Sequence, residues 1–429
     1  MPVFMARVRL ILLSVLTLLF CSCERDGLDT TLSVGPFGKE SRQVLLLYEA
    51  GFNSLSSYIH QNINVLRKGY LPGKGRAEDV VLVFSHLTLY DRQAYTTETA
   101  PAMVRLYSEY GEPRADTLKV WPAGTPVANK EVMTEVFNWV REQFPAAGYG
   151  AILSSHATGY LPEGYYDNPR KYEGTGRGGS ISTSAPLHSF GQEYYSAGTQ
   201  KQELELKDLA AAIPYKLDYL VFDACLMGTV EVAWALRDVC SYLAFSPCEI
   251  PAVGFDFRQI AEHLLKPEVP DVKAVCQDYY AYYEDDNTYG ATITLVDCSR
   301  LDRLAATCRD LFDRYRSGIR NLSGKNVQVY DRRIGAKTYY AFFDLKDILR
   351  EAGASDADLA ALQSALDEAI VYEAHTPRFI SVKLDRVCGL AMYLPAYPDY
   401  KRDIYHGTKF LDGYYKENIA WNQATSLVE

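Results

Sequence analysis

The chain has 429 residues, of which 48% are apolar and 23% charged, an ordinary globular balance that excludes long disorder. That length supports a sizeable core, with room for a main domain and a smaller one. A formal charge of −10 and the lack of a strong basic cluster exclude nucleic acid as a partner, because phosphate backbones require a basic face.

The N-terminus reads as an export signal. Arg7 and Arg9 precede the apolar run Leu10–Phe20, which has the length of a signal-peptide core and is too short to span a bilayer. The run ends in "LLFCSCER", which resembles a bacterial lipoprotein box. Residues 1–22 are therefore expected to be removed, with Cys23 as the lipid attachment site; plain signal-peptide cleavage is the alternative. The expected location is the bacterial cell envelope, periplasmic or surface-facing. Residues 23–42 are polar and read as a tether.

Next comes an alternation of strands and helices. "QVLLLYEA", "EDVVLVFSH", "YGAILSSHATGY", "LDYLVFDAC" and "YLAFSPC" are near-continuous apolar strands, and "TLKVWPA" adds a further one. Between them lie "SLSSYIHQNINVLRKG", the amphipathic "NKEVMTEVFNWVREQF", "ELKDLAAAI" and "GTVEVAWALRDV", all with helical period. Unbroken apolar strands separated by helices predict a mostly parallel sheet sandwiched by helices. Residues 43–265 are assigned to this α/β domain. Residues 266–429 form a mixed α+β extension that completes or packs on the core. The loop 157–201 breaks the pattern, and a segment that long inside a compact domain is functional or flexible.

Two strands end in reactive residues, His156 and Cys225. In a parallel sheet both lie at the carboxyl edge, where open α/β folds place ligand sites. A thiol there can be activated by the imidazole and by the helix starting near Gly228, whose N–H groups could also receive an oxyanion. The competing reading makes Cys225 a small buried hydrophobe. Seven cysteines remain beyond Cys23, and an odd number in an exported chain leaves at least one free thiol. The tyrosine clusters Gly164–Tyr172 and Asp278–Tyr283 read as half-buried packing residues, or else as a polymer-binding surface.

"FDACLMG" followed by "EVAWAL" resembles the nucleophile segment of the clostripain family of cysteine peptidases, in the caspase and gingipain clan. "ILSSHATGYLP" resembles that family's histidine segment. "LLLYEAGFNSL", "TITLVDCSRLDRL", "FFDLKDIL" and "GLAMYLP" fall in the order of its other landmarks, so the resemblance spans about residues 43–396. It implies a caspase-like fold and a cysteine endopeptidase with His156 and Cys225 as catalytic dyad. The oxyanion would face the backbone N–H groups of Ala157 and Cys225. Asp223 would lie in the primary specificity pocket with Asp256 as a second acid, selecting peptide or protein substrates with Arg or Lys at the cleavage site. The resemblance further implies self-processing in the loop 157–201, at Arg170 or Lys171. Residue 157 is Ala where the family usually has Gly, which matters if that position needs positive φ. No cofactor is expected, and no calcium site can be read. The alternative function is a catalytically inactive caspase-like surface lipoprotein that binds peptide or polymer.

Overall fold

The computed structural model describes residues 41–75, 79–89, 99–162, 190–191, 193–194, 201–286, 288–324, 326–331, 333–334, 338–395, 404–406 and 411–429. Cys23, the signal segment, Arg170, Lys171 and the cluster Gly164–Tyr172 lie outside them. No helix among the described residues is long and apolar enough to cross a membrane.

Nine strands form one sheet: β1 (Ser41–Ala50), β2 (Val80–His86), β3 (Ala102–Glu109), β4 (Glu112–Val120), β5 (Ala146–Ser154), β6 (Leu217–Asp223), β7 (Cys240–Phe245), β8 (Thr292–Asp297) and β9 (Ile370–His375), in the order β9-β8-β7-β6-β5-β1-β2-β3-β4. The five central strands, β7 to β2, are parallel. Antiparallel pairs, β8–β9 and β3–β4, close the two sides. The expected mostly parallel, helix-covered sheet is thus what forms. Two of its strands, β8 and β9, come from beyond residue 266.

Why the central strands are apolar throughout follows from the two faces. Leu46 and Tyr48 of β1 join one core, while Leu45 and Leu47 join the other. Successive side chains point to opposite faces, so both registers must be apolar. The first face is covered by α2 (Lys130–Gln143) through Met133, Val136, Phe137 and Val140, by α3 (Leu206–Ala212) and α4 (Val230–Leu236), and by α7 (Leu301–Asn321). The second face is covered by α1 (Ser56–Leu66), α5 (Phe257–Leu265) and α6 (Val272–Tyr283). Burying each Leu or Val contributes about 2 kcal/mol, the order needed to offset chain ordering.

β3 was not among the expected strands. Its sequence "AMVRLYSE" carries Arg105, which is only 2% exposed and lies over the Phe144 and Tyr107 rings. A charged residue inside a strand hides the apolar pattern. Of the second tyrosine cluster, Tyr279 and Tyr283 are buried packing residues, whereas Tyr282 is exposed.

Candidate active site

The carboxyl ends of β5 and β6 are neighbours, since Ser154 pairs with Asp223. His156 and Cys225 therefore emerge side by side. Both line one cavity of about 250 Å³, together with Ser155, Ala157, Asp223, Tyr58 and Asn62 of α1, and Glu249–Ala252 after β7.

Past β6 the backbone turns sharply. Leu226 takes φ +61°, a left-handed conformation that costs a branched side chain about 1–2 kcal/mol. The surroundings hold it there. Its N–H donates to Cys248 O at 2.9 Å, Gly228 N–H donates to Ser246 O at 2.8 Å, and its side chain is fully buried. From the far side, Ala391 N–H donates to Gly228 O at 2.9 Å. The turn lifts Cys225 off the strand, with its sulfur accepting from Ile250 N–H at 3.4 Å. α4 starts at Val230, capped by the Thr229 hydroxyl, which accepts from Val232 N–H at 3.2 Å. That start is later than the sequence suggests, so the donor beside the sulfur is Ile250 rather than a helix end.

Burial separates Cys225 from the other cysteines. Cys240, Cys248, Cys276, Cys298 and Cys308 are buried, whereas Cys225 is partly exposed to the cavity. Burial pushes the thiols of Cys248, Cys276 and Cys308 well up, which makes them inert. Cys388 is also partly exposed, but its thiol is pushed up by desolvation and then by Asp344.

His156 is held from three sides. Its Nε2 lies 2.9 Å from the Ser54 hydroxyl. Asn53 fixes that corner: its amide donates to Ala50 O at 3.0 Å, and its Oδ1 accepts from Leu55 N–H at 2.8 Å. The His156 carbonyl accepts from Gly191 N–H at 3.0 Å, so the chain returning from the long loop lies against the histidine turn. Glu193 fastens that returning segment. One oxygen pairs with buried His86, and the other accepts from Val127 N–H at 2.8 Å and Ala128 N–H at 3.2 Å. Finally, Gly159 takes φ +59°, where a Cβ would sit 2.5 Å from Leu226 O, so only glycine lets the histidine and cysteine turns touch. Ala157 is not in the left-handed region, so alanine there adds no backbone strain.

Asp223 lines the cavity at the end of β6, and desolvation raises its pKa to about 7, partly offset by the neighbouring Ser154 hydroxyl. Gly254, at φ +71°, packs against its carboxylate, and a Cβ there would lie 2.6 Å from Oδ1. Asp256 is placed elsewhere: it caps α5 by accepting from Arg258 N–H at 3.0 Å and does not line the cavity. Ser54, Ile250 and Glu193 were not singled out from sequence. Ser54 stands in "GFNSL" and could have been found as the polar end of an apolar strand; nothing local marks the other two. Among the described residues no cluster of His, Cys, Asp or Glu is arranged to hold a metal ion.

The sequence profile of the clostripain family matches residues 194–426, a span that includes Cys225. An inactive zymogen C11 protease from Parabacteroides distasonis is 25% identical, with a TM-score of 0.69 over 91% of this chain and 99% of that one. A secreted C11 cysteine protease from Bacteroides thetaiotaomicron, solved with an irreversible peptide inhibitor, shares the fold at 21% identity, with a TM-score of 0.66 over 90% of this chain and 99% of that one. No curated protein sequence matches the chain. With its sheet topology, its cysteine turn and a profile match over more than half its length, the chain belongs to the clostripain family of cysteine proteases.

Proposed function

We propose that this protease is an exported, lipid-anchored endopeptidase that cleaves after Arg or Lys with Cys225 as nucleophile and His156 as its proton partner. The observation that carries the reading is the shared cavity, in which a partly exposed thiol, an imidazole and a carboxylate converge. In this reading the imidazole takes the thiol proton, while the Ser54 hydroxyl lies 2.9 Å from its Nε2. The thiolate attacks the scissile carbonyl carbon and the carbonyl becomes an oxyanion, received by the N–H groups of Cys225 and Ala157. His156 passes the thiol proton to the leaving amine as the C–N bond breaks. Water, deprotonated by the same imidazole, then hydrolyses the thioester. Asp223 selects the basic side chain, because an uncharged guest leaves a desolvated acid unpaired.

Self-processing at Arg170 or Lys171 is supported by the returning segment, which is anchored beside His156, and by the inactive zymogen form of the Parabacteroides relative. Anchoring rests on Cys23 and the box around it.

Matched fluorogenic peptides ending in Arg, Lys, Ala or Asp test the activity, with and without a thiol alkylator. Alkylator-sensitive turnover after Arg and Lys is expected. No turnover of any would favour the non-catalytic scaffold, and turnover after Asp alone would remove Asp223 from its role. Wild type should convert to two chains while Cys225→Ala stays intact, and Cys23→Ala should leave the membrane fraction.

A further inference from the structure

Glu49 lies one residue before the end of β1, in register with Ser154 of β5, which pairs in turn with Asp223 of β6. Two residues earlier on each strand, Leu47, Ile152 and Val221 belong to the same apolar core. By the two-residue period of strands, Glu49, Ser154 and Asp223 therefore face the same side, as a polar row just above that core. Ser154 and Asp223 line the cavity, and Glu49, on the same row, is 1% exposed. Glu49 Oε1 meets no hydrogen-bond partner among the described residues. No Lys or Arg among the described residues pairs with either carboxylate; desolvation and then the charge of Asp223 raise the pKa of Glu49, partly offset by the Ser154 hydroxyl. Other titratable neighbours are Tyr279 and Tyr283 of α6, and His156, Cys225 and Glu249 around the cavity.

A buried acid and a half-buried acid on one row disfavour each other's ionisation, and an unpartnered buried oxygen is costly to keep. A cation entering the cavity would relieve the repulsion between the two acids. We infer that Glu49 is a second acid of the primary specificity pocket, which with Asp223 holds one proton while the pocket is empty and releases it when a basic side chain enters. Because a guanidinium presents several N–H groups in a planar fork and an ammonium is a compact point charge, the pair of carboxylates favours Arg over Lys. This rests on the reading of Asp223 as the pocket acid.

Glu49→Gln and Asp223→Asn are compared on peptides that differ only in Arg or Lys at the cleavage site. Glu49→Gln should lower kcat/KM on Arg about tenfold, through KM, and on Lys by less. Glu49→Asp, which keeps the charge, should retain more of the Arg preference. A purely structural role would instead lower kcat for both peptides alike and leave their ratio unchanged, and that result overturns the inference. If Asp223→Asn destroys basic selectivity while Glu49→Gln is silent, only the inference fails. If Asp223→Asn leaves basic selectivity intact, the pocket reading beneath it fails. Calorimetry of benzamidine binding to the wild type and to Glu49→Gln, in buffers of different ionisation enthalpy, guards against a variant that does not fold. A smaller proton release near pH 6 by Glu49→Gln than by the wild type supports the shared proton, and an equal release refutes it.

Discussion

The two turns that meet at the cavity are built differently. The cysteine turn is pinned by backbone on both sides: Cys248 and Ser246 receive its N–H groups, and Ala391 donates to its Gly228 carbonyl. Its strained Leu226 is tolerated because every neighbour enforces it. The histidine turn has less backbone of its own to lean on. It borrows Ser54 from the end of β1, Gly191 from the far side of the long loop, and a single glycine contact with the cysteine turn. The proposed nucleophile is thus placed by a rigid frame, and its proposed proton partner by a seat assembled from distant pieces. On the proposed mechanism, the seat that is easiest to disturb is the histidine's.

That contrast can be broken from either side. Removing the reacting groups is the largest blow: Cys225→Ala and His156→Ala should each cut kcat/KM by about a thousandfold or more in a peptide assay. If His156→Ala retained most of the rate, the dyad assignment would fall. Gly159→Ala comes next. Its methyl would press on Leu226 O and push the two turns apart, with a loss of about a hundredfold in kcat. Normal turnover with an unchanged Tm would show that the turns do not depend on each other.

Glu193→Ala tests the borrowed seat. It removes the carboxylate that faces buried His86 and takes the acceptor from the Val127 and Ala128 N–H groups, so about 3 kcal/mol of stability should be lost in a denaturant melt. Increased proteolytic nicking near Gly191 should accompany the loss. A cysteine turn labelled by iodoacetamide at the wild-type rate would confirm that the frame survives while the seat loosens.

The smallest effect concerns pH. Asp223 has a folded pKa near 7, above its ordinary value, as does Glu231, whose burial raises it to about 7. For an acid whose folded pKa is raised, the folded state binds more protons than the unfolded one. The associated stability is fully present below about pH 4 and is lost as pH rises through 7. Asp223→Asn should therefore raise stability at pH 8 by about 1–3 kcal/mol and change it little at pH 4. In the same window KM for basic peptides should fall as pH rises through 7, because the pocket acid gains its charge. A flat KM profile would remove Asp223 from substrate binding.

How much of this was legible depended on whether the signal was local. The five central strands are apolar on both faces, so β1, β2, β5, β6 and β7 stand out as runs. β3 did not, because Arg105 interrupts it. His156 and Cys225 were legible as strand ends, and the neighbouring of β5 and β6 made them a pair. Glu49 sits inside "LLLYEA" as a lone acid at a strand end, a visible signal whose meaning appears only when three strands are laid side by side. Asp256 shows the opposite case: its motif attracted a pocket role, while locally it serves as a helix cap. Glu193 carries no local mark, since its partners lie 65 to 107 residues away.

The strand order has one last consequence. β1 to β5 precede the long loop and form one contiguous block of the sheet; β6 to β9 follow it and form the other. A single cut between residues 162 and 190 would therefore turn one polypeptide into two interlocking subunits that meet along the β5–β6 seam, with the imidazole on one and the thiol on the other. Such a molecule would run as two bands on a denaturing gel and as one species on a sizing column. Its activity would then become a property of subunit association, switched off by separating the halves with every side chain of the site still intact.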